Sequence, residues 1–357
     1  MVARKATLYD VAELAGVSIA TVSFAFTKPD RVKSDTLAAV MAAADRLGYV
    51  PSASARGLAR GRTGAIGLYA FDYLLDSEAA DEQVTDMPTA RLFPLYADEV
   101  QRGVQVECRR RGYALMIGGT RTAPHLSQVI DVAGRVDGLI AFAGAVSETA
   151  LRQVSGRIPV VELGGEVRAD GVRTIYVDNR QGMADLTSHL LAVHGHRRFG
   201  YLGELGTPEF RQRFDGFTVA LRAAGLPVPP VTRSHPGDDD TAAVAVRGFL
   251  ERGDLPDVLV CDTDQSALAA IDALRAEGLT VPGDIAVTGF DGIVAGELLS
   301  PALTTVRQPM EAIGRLAVRI LVDTLAGVPD AHVHEPLESV LVVGGTCGCP
   351  VGTSASA

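Results

Sequence analysis

The first fifty residues contain three short stretches in which apolar residues recur at helical spacing. In residues 8–15 the apolar positions lie at i, i+3, i+4 and i+7, which predicts one apolar face of a short helix. Residues 19–26 predict a second short helix and residues 34–47 a third. The inward face of the third helix is predicted to consist of Leu37, Val40, Met41, Ala44 and Leu47.

The connection between the first two helices predicts how they pack. Gly16 can adopt the positive φ that ends a helix, and Ser18 can cap the helix that follows. In the second helix, Val22, Ala25 and Phe26 are predicted to face inward, and Ala20, Thr21 and Phe24 outward. Two short helices joined by a tight turn and braced by a third predict a helix-turn-helix domain, whose second helix lies in the major groove of DNA.

Beyond residue 64 the pattern changes to short apolar runs that alternate with amphipathic helices. The predicted strands are 64–70, 113–119, 136–143, 158–163, 173–177, 198–203, 257–261, 284–290 and 339–343, and the helices include 96–111, 180–193, 209–224, 264–277 and 311–326. Such alternation predicts buried parallel sheets, and the number of strands predicts two doubly wound α/β lobes. A ligand would bind in the cleft between the lobes, beyond the carboxyl ends of the strands.

The charge is distributed unevenly along the chain. The protein has a net charge of −10, but residues 1–62 hold nine Lys or Arg against five Asp or Glu, whereas the rest holds 24 against 38. All three lysines, Lys5, Lys28 and Lys33, lie in the first segment. A small basic domain joined to a larger acidic one suits a DNA-binding head on a body that does not itself bind DNA.

Several other classes of protein are disfavoured by the sequence. It contains no run of eighteen apolar residues and no signal-peptide core near its start, so we expect a cytoplasmic protein without a membrane partner. The four cysteines are too few and too scattered for a disulfide framework. No catalytic or phosphate-binding motif is present, so neither an enzyme nor a cofactor is expected. His332 and His334 with Cys347 and Cys349 lack zinc-finger spacing, and no metal site is predicted.

Three segments of the head carry a specific resemblance. The segments TLYDVAELAGVS (residues 7–18), TVS (residues 21–23) and LGYVP (residues 47–51) resemble the DNA-binding head of LacI/GalR-family transcription regulators. The resemblance implies DNA contacts from Thr7, Tyr9, Ser18, Ile19, Ala20, Thr21, Ser23, Phe24, Arg31 and Tyr49. Phe24 departs from the family, which often has an arginine at this position, and its apolar side chain would contact a thymine methyl group rather than guanine.

Residues 51–63 leave two interpretations open. A short helix here would be marginal in isolation, and Gly57 weakens it further, so the segment could be a flexible linker. The family resemblance implies instead a hinge helix that folds on DNA and pairs with its dimer mate in the minor groove. In that interpretation Leu58 inserts between two base pairs, and Ala55 and Arg60 contact the groove beside it.

The resemblance continues through the body. The segments DNRQG (178–182), HGHRR (194–198), RFDGF (213–217), DQSAL (264–268), GFD (289–291) and PALTTVRQP (301–309) resemble family markers in the family's order. They imply a two-lobed domain like that of periplasmic binding proteins, with an effector site of Phe71, Asp72, Arg213, Thr263, Asp291 and Gln308. A guanidinium and a carboxylate suit the hydroxyls of a sugar, although Arg213 could instead form only a local salt bridge.

Three departures from the family put a sugar effector in doubt. Thr263 stands where the family usually has an asparagine, and Gly164 where sugar-binding members often have an aspartate. Residues 71–94 form a longer and more acidic segment than expected. That segment is either a lid over the cleft or a solvated loop, and the sequence favours neither.

Together these features predict a domain order and a function. The predicted domains are a helix-turn-helix head at 1–50, a hinge at 51–63, an effector-binding and dimerisation domain at 64–346, and a disordered tail at 347–357. The two subdomains would span about 64–176 with 308–335 and about 178–306 with 337–346. We expect a homodimeric repressor that binds a palindromic operator under the control of a small-molecule effector, a sugar or related metabolite. The alternative is a periplasmic-type ligand-binding protein without a DNA role, which would have no use for a basic head.

Overall fold

The computed structural model describes residues 6–50, 62–71, 95–120, 126–166, 172–234, 239–328 and 336–350. The chain divides into two compact units, Met1–Thr63 and Gly64–Ala357, which we call the head and the body. Within the described residues no single helix is long and apolar enough to cross a membrane. Only the first two helices taken together reach the length and apolar composition of a membrane span, and they are sharply bent relative to each other. The hinge residues Ala55, Leu58 and Arg60, the tail beyond Pro350, and Asp72 with the acidic segment to residue 94 lie outside the described residues.

The head is the predicted helix-turn-helix. Its helices are α1 (Leu8–Ala15), α2 (Ile19–Thr27) and α3 (Ser34–Leu47), with a short 3-10 turn at Pro29–Arg31. Thr7 and Asp10 form a reciprocal capping box at the start of α1, and Gly16, with φ of 66°, ends it. The helix axes of α1 and α2 then differ by 104°, as this motif requires.

The core of the head follows the predicted apolar faces with one exception. Its buried side chains are Val11, Ala12, Val22, Ala25, Val40, Ala43 and Ala44. Met41 is 47% exposed, so the prediction that it faces inward was wrong. Ala43 is buried instead, because the face of α3 that contacts α1 and α2 is rotated slightly from the one that the longer side chains suggest.

The body contains a first lobe built on a five-stranded sheet in the order β2-β1-β3-β4-β5, in which every pair is parallel. Its elements are β1 (Ala65–Phe71), α4 (Leu95–Arg111), β2 (Ala114–Thr120), α5 (Leu126–Ala133), β3 (Gly138–Phe142), α6 (Glu148–Ser155), β4 (Val160–Leu163) and β5 (Arg173–Ile175). The late helix α12 (Met310–Leu325) also packs in this core through Ile313, Ala317 and Leu321.

The second lobe is a four-stranded parallel sheet in the order β7-β6-β8-β9. Its elements are α7 (Asn179–His194), β6 (Phe199–Gly203), α8 (Pro208–Ala223), β7 (Val231–Arg233), α9 (Asp239–Arg252), β8 (Val258–Cys261), α10 (Asp264–Ala276), β9 (Ala286–Thr288) and α11 (Val294–Glu297). The strands β10 (Thr305–Arg307) and β11 (Val340–Val342) form a small antiparallel pair beside α7. The predicted fold class is confirmed, with β7 and β10 as strands that the sequence pattern did not reveal.

The start of the predicted tail is folded. Residues 347–350 continue the second lobe, and the Cys347 side chain is 1% exposed within the core around α7. Thr346 anchors this segment, because its carbonyl oxygen accepts a hydrogen bond from the Val287 amide at 3.1 Å and its hydroxyl accepts one from the Thr304 amide at 2.9 Å. The prediction of disorder from residue 347 was therefore wrong for 347–350, since a Gly-rich composition does not reveal such contacts.

Candidate functional site

The exposed face of α2 in the head is mostly apolar. Ile19 and Phe24 are 40% and 47% exposed, and Ala20 and Ser23 are exposed on the same helix. Tyr9 on α1 is 68% exposed. Exposed apolar side chains grouped on one helix face are more informative than isolated ones, so this face is a candidate surface for base contacts.

The hydroxyl groups near this face are engaged as helix caps. The Thr7 hydroxyl donates to the Asp10 carboxylate at 2.7 Å. At the start of α2, the Ser18 hydroxyl accepts from the Thr21 amide at 3.1 Å and lies 2.8 Å from the Thr21 hydroxyl. These caps stabilise the amino ends of α1 and α2, which carry the N–H groups and partial positive charge that attract a phosphate.

Two further predicted DNA contacts lie beside α2. Arg31 is exposed in the 3-10 turn, between the exposed Lys28 and Lys33, and the three form a basic edge. Tyr49 is half-buried, with its ring 5.7 Å from that of Phe26. Tyr49 thus contributes to packing in the head, and only part of its surface is open to DNA.

The body holds a cavity of about 300 Å³ between its two lobes. Four of the predicted effector residues, Arg213, Thr263, Asp291 and Gln308, line it together. Apolar and aromatic side chains also line the cavity: Tyr96, Phe142, Leu163, Ile175, Phe210 and Ile313. Phe71 ends β1 in the first lobe, but its side chain is not among those described.

Arg213 on α8 is the central cation of this cavity and is 5% exposed. Its Nε donates to Asn179 Oδ1 at 2.9 Å, and its Nη1 donates to the Asp262 carbonyl oxygen at 2.6 Å and lies 3.2 Å from Asp291 Oδ1. The guanidinium also stacks 4.0 Å from the centre of the Phe290 ring. Because a guanidinium has two more N–H donors on Nη2, these contacts fix Arg213 without exhausting its capacity to donate.

Asp291 is held in an unusual backbone conformation at the floor of the cavity. It has a φ of 128°, and Gly292 follows with a φ of 76°. Asp264 Oδ2 holds this turn by accepting the amides of Gly292 and Ile293 at 2.7 and 2.8 Å. Gln308 Nε2 donates to Asp291 Oδ1 at 2.7 Å, so the turn presents an amide and a carboxylate side by side.

Thr263 serves mainly as the cap of α10. Its hydroxyl accepts from the Ser266 amide at 3.1 Å and donates to the Ser266 hydroxyl at 3.0 Å. The donated proton is therefore used within the protein, and Thr263 offers a ligand a lone pair rather than a donor. The asparagine expected from the family would have offered both.

Glu209 is a cavity residue that the sequence interpretation missed. It lies in the first turn of α8, lines the cavity, and packs against Gly164. Within the part of the chain that the structure describes, its buried Oε2 atom has no hydrogen-bond partner. Burial raises the pKa of Glu209 to about 7, against the opposing effects of hydrogen bonds and Arg213. The only available signal was the position one helical turn before Arg213, on the same face.

Among the described residues that line the cavity, carboxyl groups come from Glu204, Glu209 and Asp291 and the cation is Arg213, while Asp262 and Asp264 lie buried beside the lining. Burial raises the pKa of Asp262, Asp264 and Asp291, and the neighbouring Asp291 raises that of Asp264 further. Arg213 opposes the effect of burial for Asp262 and Asp291. The lining offers both donors, from Arg213, and acceptors, from Asp291 and Glu209, to a ligand with hydroxyl or amide groups.

Comparison with known proteins extends over nearly the whole chain. Residues 7–52 match the family model for bacterial regulatory proteins of the lacI family, and residues 188–347 match that for a periplasmic binding protein-like domain. The HTH-type transcriptional repressor PurR of Haemophilus influenzae (strain PittEE) is 33% identical over 331 residues, which cover 90% of this chain and 91% of that protein. An HTH-type transcriptional regulator of Mycobacterium tuberculosis is 32% identical over 373 residues, which cover 97% and 98%.

Solved structures share the fold. The lac repressor dimer bound to operator and the anti-inducer ONPF has a TM-score of 0.78 at 24% identity, with 96% of this chain and 99% of that chain covered. The complex of the transcriptional regulator CelR with cellobiose has a TM-score of 0.66 at 29% identity, with the same coverage. These matches confirm the family resemblance and the predicted fold, and the chain belongs to the lacI family of bacterial regulatory proteins.

Proposed function

We propose that this regulator binds an inverted-repeat operator as a homodimer and that a small polar molecule in the cavity of the body controls it. The observation that carries the proposal is the convergence of Arg213, Asp291 and Gln308 on one buried cavity, in a chain whose head exposes the face of a helix-turn-helix. A carboxylate, an amide and a guanidinium at one wall form a set that orients a ligand through its polar groups.

The chemistry of the cavity favours a molecule that has both polar groups and apolar surface. The polar lining includes Arg213, Asp291, Gln308 and Glu209, and aromatic and aliphatic side chains form much of the rest. A sugar ring has this character, with hydroxyl groups at its edge and C–H groups on its faces. The CelR neighbour is a cellobiose complex, which supports a sugar or related metabolite here.

The DNA-binding proposal rests on the head. One head covers only a half-site, so a two-fold dimer would contact two half-sites in opposite orientation. The lac repressor neighbour is a dimer bound to operator, which supports the same arrangement. The predicted contacts are the exposed residues of α2 with Tyr9 and Arg31, while Thr7, Ser18 and Thr21 would act at the ends of helices that face the phosphates.

The proposal is tested with the full chain in two linked assays. A sugar and metabolite panel is first screened by thermal shift, because a ligand at 100 times its Kd adds about 2.7 kcal/mol of stability. The compound that raises Tm is then titrated by calorimetry against wild type, Arg213→Ala and Arg222→Ala. Arg222 lies on the same helix but is exposed, so it controls for the loss of an arginine.

We expect Arg213→Ala to lose ligand binding and the ligand's effect on operator affinity, while operator affinity without ligand stays within about threefold. Arg222→Ala should behave as wild type. Normal ligand binding by Arg213→Ala would show that Arg213 is only structural and would overturn the site. Footprinting that protects a single, non-repeated half-site would overturn the dimer.

A further inference from the structure

Two histidines and two cysteines meet at the edge of the second lobe, away from the residues that line the cavity. The residues are His189 and His194 of α7, and Cys347 and Cys349 of the C-terminal segment. One ligand atom from each residue lies within 4.8 Å of every other. None of the four belongs to the proposed effector site or to the DNA-binding head.

The fold positions each member of this cluster. His194 is the last residue of α7, which ends at Gly195, and His189 lies five residues earlier. The C-terminal segment is fixed beside them by Thr346, through its bonds to Val287 and Thr304. Gly348 has a φ of 101°, and this turn brings both thiols to the same side of the chain.

Three sulfur–nitrogen distances within the cluster are close to those of a tetrahedral metal site. Cys349 Sγ lies 3.3 Å from His194 Nε2 and 3.7 Å from His189 Nε2, and Cys347 Sγ lies 3.8 Å from His189 Nε2. Zinc bonds of about 2.3 Å to sulfur and about 2.0–2.1 Å to nitrogen, at tetrahedral angles, place sulfur and nitrogen about 3.6 Å apart. Small side-chain movements would suffice to bring all four atoms around one ion.

We propose that His189, His194, Cys347 and Cys349 bind one Zn²⁺ ion. Binding would release the proton of each thiol, so that two thiolates and two neutral imidazoles surround the divalent cation. The complex then has no net charge, which suits four residues that are buried or half-buried. Soft thiolates and imidazoles also favour zinc over magnesium or calcium, which prefer oxygen ligands.

The expected role of this ion is structural. Four protein ligands complete a tetrahedral shell and leave no position for a substrate. The ion would join the end of α7 to the C-terminal segment, whose Cys347 already packs in the core of the second lobe. It would thereby secure residues 346–350 against the sheet of the second lobe, independently of effector or DNA.

The test uses the full chain, purified under reducing conditions without a metal-affinity step. Zinc is measured by mass spectrometry of the metal, and Co²⁺ is titrated into protein stripped by a chelator. We expect about one zinc ion per chain, and a cobalt complex with thiolate charge-transfer bands and the strong visible absorption of tetrahedral cobalt. Cys349→Ser and His194→Gln should each lower the bound zinc at least tenfold at micromolar free metal.

Two control variants keep the histidine and cysteine content comparable. His196→Gln changes a ring that stacks on His194 but is not a member of the cluster. Cys261→Ala removes a buried cysteine of β8. Both should retain one zinc ion per chain, and circular dichroism checks that every variant is folded.

The main rival is a disulfide between Cys347 and Cys349, which the mass of the unreduced, alkylated protein detects. If that disulfide forms in air but the reduced chain still binds one equivalent of Co²⁺, the result supports the proposed metal site. A fully reduced, folded chain that binds less than about a tenth of an equivalent would overturn it. Full retention of zinc by Cys349→Ser would overturn it as well.

Discussion

The carboxyl group of Glu209 occupies the space that a side chain at position 164 would need. Gly164 follows β4 with a φ of 84°, and a Cβ atom built there would overlap the Glu209 carboxylate. This is the position at which sugar-binding members of the family often have an aspartate. The acidic group at this wall of the cavity therefore comes from α8 in the second lobe, which restores a carboxyl group from a different direction.

The buried carboxyl group predicts a pH-dependent stability. Burial raises the pKa of Glu209 to about 7 in the folded protein, whereas in the unfolded chain it titrates near 4.5. The stability of the folded protein that depends on a protonated Glu209 is therefore fully present below about pH 4.5. It is lost as pH rises through about 7. Glu209→Gln cannot ionise, so its free energy of unfolding does not fall in this way. Relative to wild type, it should rise by up to about 3 kcal/mol between pH 5 and pH 9.

Urea denaturation of both proteins at several pH values measures this difference. Asp262, Asp264 and Asp291 also have raised pKa values, but they are present in both proteins and largely cancel in the comparison. Glu251→Gln, an exposed change on α9, is the matched control and should track wild type. A constant difference between Glu209→Gln and wild type across this pH range would contradict the buried position of Glu209.

The packing of α12 on α4 predicts a second effect on stability. A Cβ atom at Gly314 would overlap the backbone carbonyl oxygen of Val100, which cannot move without shifting the helix. Gly314→Ala should therefore lower the free energy of unfolding by about 1–3 kcal/mol, although alanine is the better helix former. At Gly248 on α9 the added Cβ would meet only the flexible end of Arg252.

Gly248→Ala is thus the matched control and should gain up to about 1 kcal/mol from helix propensity. Chemical denaturation of the three proteins separates these effects. If both substitutions stabilised the protein equally, the two helices would lie further apart than the structure places them.

The sequence predicted those parts of the fold that depend on neighbouring residues. The first two head helices begin at the expected positions because Thr7 and Ser18 cap them, and Gly16 ends the first. The long parallel strands were recognised from continuous apolar runs. The strands β7 and β10 were missed because their sequences, VTR and TVR, each hold a single apolar residue and so form no apolar run.

The candidate sites differ in how many of their residues could be predicted from the sequence. Arg213 and Asp291 were identified through family markers, and the structure places them 3.2 Å apart. The histidine–cysteine cluster could not be foreseen, because Cys347 and His189 are 158 positions apart and meet only through the order of strands in the second lobe. The sequence interpretation considered His332 and His334 for these cysteines, and both lie outside the described residues.

The hinge interpretation predicts a loss of DNA bending without loss of all binding. Leu58→Ala would remove the apolar wedge but keep the phosphate contacts of the head, so the bend angle should shrink and specific affinity fall, while non-specific binding survives. A gel-shift phasing assay measures the bend. Leu298→Ala, which truncates an 80% exposed leucine in the body, is the control. An unchanged bend for Leu58→Ala would favour the flexible-linker interpretation.

Phe24 predicts which base the second helix prefers. It is 47% exposed and does not belong to the packed core of the head, which argues against a bracing role. An apolar ring can contact the methyl group of thymine but cannot donate to guanine, so the half-site position beneath it should favour thymine. Phe24→Arg should shift that preference toward guanine and leave the head folded, because an exposed position tolerates the longer side chain.

Selection of bound sequences from a random DNA pool, with both proteins, measures the preference directly. Leu14→Arg is the control for added charge, since Leu14 is 43% exposed on α1. Charge alone should raise affinity for all sequences and steepen its salt dependence, without changing the preferred base. A base shift with Phe24→Arg that Leu14→Arg does not produce would assign base contact to position 24. Identical preferred sites for Phe24→Arg and wild type would instead show that the ring lies away from the bases.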